Sequence, residues 1–200
     1  MRSNLTRIVA ACGAMLGWAA LALQLLLTLA AIRAQGGTAL AGVWRYLGYF
    51  TIIANLFAAV VLSSALFRPR ARRLEFAAVT AMILVGVVYS LLLREIWNPQ
   101  GWQKIADVAL HDAVPLAAIL FWLLRPHGGL CARDIAASLI LPLGYCAYAM
   151  ARGAMDGWYA YGFLDVARLG AAPVALNCAG LGAAFLVLAI VLAGLDRILP

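Results

Sequence analysis

Thr51 and Asn55 stand four residues apart, as do Asp107 and His111, and both pairs fall inside otherwise apolar runs. On a helix an i, i+4 pair shares one face. Asp107 can therefore accept a hydrogen bond from one ring nitrogen of His111 and fix its tautomer. Asp112 follows His111 directly and points about 100° away from it, which makes it the alternative support if the helix bends. Pro115 stands four residues after His111. It has no N–H to give the His111 carbonyl, so the helix is predicted to kink there. A hydroxyl beside an imidazole is the minimum for nucleophilic acyl transfer. The imidazole takes the proton as the hydroxyl attacks an ester carbonyl, then returns it to the leaving alcohol. Asn55, Asn177 or Tyr89 would donate to the oxyanion. Each group also has a plainer use: Thr bonded to its own backbone, Asn joining helices, His as a structural residue.

The elements that must hold these groups are membrane helices. Of the 200 residues 66% are hydrophobic and 12% charged, with mean hydropathy +0.96; a soluble domain is about 45–50% apolar and about 25% charged. That excludes an ordinary soluble globule, a disordered chain and a disulfide-rich secreted module. Six apolar runs read as spans: Ile8–Ile32, Leu47–Phe67, Phe76–Leu93, Ile105–Leu124, Ile135–Ala151 and Ala171–Leu195. Six spans of about 20 residues take roughly 120 positions. The remainder suffices for loops only, so residues 1–200 read as one all-α domain, a polytopic bundle of six transmembrane helices. The segment Ala31-Ile32-Arg33-Ala34 mimics a cleavage site. The run before it exceeds the roughly 7–15 residues of a signal-peptide core, so it reads as a retained first span.

Lysine and arginine placement orients the bundle. Nine fall on the side of the N-terminal tail, the second-to-third loop, the fourth-to-fifth loop and the C-terminal tail, against six on the other side. The cluster Arg68-Pro69-Arg70-Ala71-Arg72-Arg73 is the strongest signal and predicts cytoplasmic N- and C-termini. With that direction Thr51, Asn55, His111, Asp112 and Asn177 share one layer, about 9 Å deep for those six residues in. Asp107 lies near the mouth, and Tyr89 and Ser90 reach the same layer from the other direction. The outward loops are rich in aromatics: Trp97 and Trp102 in one, Trp158, Tyr159, Tyr161 and Phe163 in another, joined by Trp44, Tyr46 and Tyr49. These form either an interfacial belt or the rim of an amphiphile-binding mouth.

Several chemistries lack their residues. No C-x-x-C occurs among Cys12, Cys131, Cys146 and Cys178, which disfavours a thiol oxidoreductase. His111 and His127 are the two histidines, and His127 is in a loop, so one chain cannot supply a paired intramembrane haem ligation. Neither H-E-x-x-H, G-x-S-x-G nor a nucleotide-binding glycine motif is present. No metal or cofactor is expected. The formal charge of +7 is absorbed by the loops, without the basic, aromatic-interleaved face that nucleic acid requires.

Three segments, in order, resemble a known family: Trp44-Arg45-Tyr46-Leu47-Gly48-Tyr49-Phe50-Thr51-Ile52-Ile53-Ala54-Asn55, Leu110-His111-Asp112-Ala113-Val114-Pro115, and Gly157-Trp158-Tyr159-Ala160-Tyr161-Gly162-Phe163-Leu164-Asp165. They are similar to the bacterial six-pass branch of the androgen-induced-protein/FAR-type superfamily of membrane proteins. Ala54 stands where a hydroxyl residue is common in that branch, and Ala160 and Gly162 where Pro is frequent. The resemblance implies the activity of the animal relatives, threonine hydrolases of fatty acid esters of hydroxy fatty acids, whose Thr and His correspond to Thr51 and His111. Asn55, Tyr159, Tyr161 and Asp165 correspond only to motif positions.

The expectation is an intramembrane lipid-ester hydrolase in a bacterial cytoplasmic membrane. The Ala- and Arg-rich usage and the lack of a targeting presequence point to that membrane. Thr51 would be nucleophile, His111 general base and acid, and Asp107 its orienting group. Asn55, Asp112, Tyr89, Asn177, Tyr159 and Tyr161 would contact the lipid or fatty acyl ester. The competing readings are a non-enzymatic binder, sensor or transporter of a lipid or amphiphile, and a structural partner subunit.

Overall fold

The computed structural model describes residues 2–67 and 71–199, with the side chains of Arg2 and Ser3 left aside. Arg68, Pro69 and Arg70 of the basic cluster lie outside the described residues. Among the described residues the chain is helical and carries no strand. Five helices are long and apolar enough to cross a membrane, and six crossings result if one bent pair counts as a span.

The first helix, α1 (Arg2–Ala34), contains the predicted first span. It packs closely against its neighbours where side chains are small. A Cβ on Gly13 would press on Ala117 and Leu62, and one on Gly17 on Ala59, the close approach that small residues permit between membrane helices.

The second predicted span is not continuous. It divides into α2 (Ala39–Tyr46) and α3 (Phe50–Ser64), which meet at 80°. The break is made by tertiary contacts. The Gly48 carbonyl accepts from the Tyr145 hydroxyl at 2.9 Å, and the Arg152 guanidinium and Trp158 ring sit where a Gly48 Cβ would be. Tyr49, extended at φ −95° and ψ 132°, then precedes the first turn of α3 without a side-chain cap.

The remaining spans follow their predicted positions with longer ends. α4 (Arg72–Val88) runs on through a π-helical turn, Tyr89–Leu93. α5 (Gly101–Val108) and α6 (Val114–Leu123) are joined by a second π-helical turn, Ala109–Ala113. α7 (Ala132–Ser138) and α8 (Ile140–Asp156) form one span, with Leu139 in a turn between them. Pro142, which cannot donate to the carbonyl of Ser138, accounts for that interruption. After a short 3₁₀ turn (Gly162–Leu164) and α9 (Val166–Leu169), α10 (Ala171–Ile198) completes the bundle.

The core is built where these helices cross. Ala54 and Ala58 of α3, Ala81, Met82 and Val85 of α4, Val114 of α6 and Phe185 of α10 are buried together. A second cluster, around Phe76, Val79, Trp122 and Leu192, fills the other end.

Candidate active site

Two irregular turns bring the polar residues into contact. In the Ala109–Ala113 turn the N–H of Val114 donates to the carbonyl of Ala109, five residues back. In the same register the next carbonyl, Leu110, would look to position 115, which is a proline without an N–H. The Leu110 carbonyl is therefore left open, and the Asn55 side-chain amide donates to it at 3.2 Å. The same nitrogen donates to the carbonyl of Thr51 at 2.8 Å. One buried amide thus ties the first turn of α3 to the widened turn that carries His111. The kink predicted at Pro115 takes the form of this π turn. On its far side α4 comes in at Gly86, where a Cβ would lie 3.2 Å from the His111 carbonyl.

Thr51 Oγ1 lies 3.2 Å from His111 Nε2. The other ring nitrogen, Nδ1, lies 3.0 Å from the Asp107 backbone carbonyl and 3.2 Å from Asp107 Oδ1. A carbonyl cannot donate, so Nδ1 carries a proton, and in the neutral imidazole Nε2 then presents its lone pair to Thr51. The Tyr89 hydroxyl donates to Asp107 Oδ2. Its ring stacks on the imidazole, with centroids 3.9 Å apart and planes 12° from parallel. The Arg94 guanidinium covers the other side of the Tyr89 ring at 4.8 Å. The result is a continuous chain of contacts from Thr51 through His111 and Asp107 to Tyr89. Asp107 and Tyr89 are buried and His111 is partly buried.

Thr51 also faces an apolar cleft that is open on one side. Leu84, Val85 and Val88 of α4, Leu143 of α8, and Gly182 and Phe185 of α10 line it, with Tyr145 and Tyr161 near Thr51. The Tyr161 hydroxyl accepts a 3.4 Å hydrogen bond from the Thr51 N–H and lies 3.5 Å from Thr51 Oγ1. Burial raises its pKa above the usual 10, so it keeps its proton at neutral pH. Its ring is held by stacking on Phe163, with centroids 5.2 Å apart, and by edge contacts with Tyr49 and Tyr145.

The other predicted residues stand elsewhere. Asn177 donates to the Phe163 carbonyl at 2.8 Å and so anchors the aromatic loop. Asp112 turns to Arg94 in an ion pair of 2.5 Å, leaving the support of His111 to Asp107. Tyr159 covers Gly153 on α8 and is not among the residues lining the cleft. Tyr89, by contrast, does line the cleft, but its one hydroxyl proton is already engaged by Asp107.

Two features were not anticipated. Arg152, buried in α8, lies between Trp44 at 4.4 Å and Trp158 at 4.6 Å and bonds Asp156, which also accepts from the Trp44 indole. This cluster holds the α2–α3 corner against the aromatic loop. Elsewhere Asp196 accepts from the N–H groups of Gly128, Gly129 and Leu130 and lies 3.1 Å from His127 Nδ1, clasping the end of α10 to the loop after α6. The Gly128-Gly129 pair beside a lone late aspartate is the only trace of this clasp in the sequence.

Among the described residues, no three His, Cys, Asp or Glu side chains gather as metal ligands. Compared with known proteins, the chain matches no family model, no curated protein and no solved structure.

Proposed function

We propose that this protein is an intramembrane hydrolase of lipid esters, with Thr51 as nucleophile and His111 as general base and acid. The observation that carries the reading is the 3.2 Å contact between Thr51 Oγ1 and His111 Nε2 beside an apolar cleft that Thr51 lines. An acyl chain in that cleft brings its ester carbonyl to Thr51. His111 takes the hydroxyl proton as Oγ1 attacks the carbonyl carbon, and Asp107 steadies the imidazolium that forms. His111 returns the proton to the leaving alcohol. Water, deprotonated by the same nitrogen, then releases the acid from the acyl-threonine.

The substrate class that the family resemblance suggests is a fatty acid ester of a hydroxy fatty acid, entering from the outer leaflet. The lysine and arginine pattern supports cytoplasmic termini, and the Ala- and Arg-rich usage supports a bacterial inner membrane.

The test is purified protein in detergent or vesicles, with a fluorophosphonate probe and a panel of lipid esters. Wild type is expected to label and to hydrolyse, and T51A and H111A to do neither. Ester binding without turnover or labelling would favour a lipid binder. Activity unchanged in both variants would remove these residues from the mechanism.

A further inference from the structure

Acyl transfer needs a donor to the oxyanion as well as a base, and most nearby donors are already engaged. The Asn55 amide bonds the carbonyls of Thr51 and Leu110. Asn177 bonds the Phe163 carbonyl, and the single Tyr89 proton goes to Asp107. Among the described residues, the side chains with a hydrogen bond to Thr51 Oγ1 are His111 and Tyr161. Tyr161 lines the cleft and His111 is not among its lining residues. The hydroxyl oxygen of Tyr161 accepts from the Thr51 N–H; with the Thr51 hydroxyl proton directed to His111, the Tyr161 proton points to Thr51 Oγ1 at 3.5 Å, on the cleft wall where an entering carbonyl oxygen can take it over. That N–H belongs to the first turn of α3, where amides have no partner within the helix and the helix dipole favours negative charge.

We infer that Tyr161 is a catalytic residue: its O–H, together with the Thr51 N–H, donates to the oxyanion formed when Thr51 attacks an ester carbonyl. The inference rests on the hydrolase reading and adds the electrophilic half of the site. In the resting protein the two donors bond each other at 3.4 Å. A carbonyl oxygen entering between them and Oγ1 takes both hydrogen bonds, about 3 Å from each donor. The rigid stack on Phe163 keeps the phenol in place, so its dipole needs no rearrangement as charge develops.

The experiment compares wild type, Y161F and T51A on a fluorogenic oleoyl ester. Infrared spectra of the acyl-threonine carbonyl are recorded as well. Y161F is expected to lose about 10²–10³-fold in kcat, the range for one oxyanion donor, with KM changed less than about threefold. In wild-type acyl-enzyme the ester carbonyl is expected to absorb at lower frequency than a threonine ester in an aprotic solvent, and Y161F to move it back. Wild-type kcat in Y161F, a defect confined to KM, or a wild-type carbonyl at the aprotic frequency each overturns the inference while leaving Thr51 and His111 in place. Where Y161F fails to fold, 3-fluorotyrosine at position 161 serves instead: its more acidic O–H is expected to lower the carbonyl frequency further, and an unchanged frequency overturns the inference. Absence of both hydrolysis and fluorophosphonate labelling in wild type instead sinks the hydrolase reading, and this inference with it.

Discussion

The side-chain nitrogen of Asn55 lies 3.2 Å from the backbone carbonyl of Leu110, and this bond sets how α3 lies against the turn that bears His111. Thr51 stands one helical turn before Asn55, and His111 directly follows Leu110. Replacing Asn55 by Ala leaves the Leu110 carbonyl buried and open, at a cost of about 1–3 kcal/mol. Thermal unfolding in detergent is expected to show the loss. Labelling of Thr51 should fall further than the loss of folded protein explains, because the two helices lose their register. Normal labelling per folded molecule would show that the alignment is held by other contacts.

Pro115→Ala restores an N–H at the position whose absence opens the Leu110 carbonyl. The variant is expected to relax the Ala109–Ala113 turn toward an α-helix, with stability equal or higher and hydrolysis reduced at least tenfold. Melting temperature and turnover measured side by side check this. A fully active variant would show that the wide turn does not depend on the proline.

Asp107→Asn keeps the shape beside His111 and removes the charge. Turnover is expected to drop by roughly 10²–10⁴-fold, the range of a general acid–base contribution, with a much smaller change in KM. Asp112→Asn, which breaks only the ion pair with Arg94, should change kcat less than about threefold. Equal defects in both variants would contradict the assignment of Asp107 as the orienting group.

Gly182 lies on the cleft wall, and a Cβ built there meets only Leu143, at 4.0 Å. The Cβ of Gly182→Leu is therefore accommodated without a clash, and the rest of the side chain is expected to narrow the cleft. Hydrolysis of long acyl esters is expected to weaken at least tenfold while short esters are cleaved at nearly the wild-type rate. A chain-length series on both proteins measures the difference, and a uniform change across the series would mean that the acyl chain lies elsewhere.

Asp196→Ala strips three backbone N–H groups and His127 of their shared acceptor. The expected loss is about 3–5 kcal/mol, the range for breaking a buried pair. The protein that remains folded should keep its kcat, since the clasp is separate from Thr51. Loss of kcat without loss of stability would tie this clasp to the site.

Contacts set by helical period were readable in the sequence. Asp107 meets His111 because i, i+4 residues share a face, and that holds even through a π turn. Matching depths in separate helices also brought Thr51 toward His111. What escaped was tertiary. Gly48 looks like an ordinary residue in an apolar run until Arg152 and Trp158, a hundred positions away, occupy the space beside it. Asn177 and Tyr89 have the right chemistry for an oxyanion donor, but their protons go to Phe163 and Asp107. Partner choice depends on which acceptor each side chain reaches, and residue type does not encode that. The Asp196 clasp rests on three loop amides, which have no side-chain signature.

The 80° corner before α3 has a consequence for how the protein sits among lipids. The helix after it has only 15 residues and rises about 22 Å, against a hydrocarbon thickness of about 30 Å. The deficit of about 8 Å is a hydrophobic mismatch built into one element of the bundle; taken up at the corner, it would put the start of α3 below the level where a full-length span begins. Bare amides at that depth are tolerated only when other protein covers them, and the loop bearing Tyr161 supplies that cover. On the hydrolase reading, that depth would put the Thr51 hydroxyl near the level at which lipid acyl chains begin, within reach of a substrate ester whose chains stay in the bilayer.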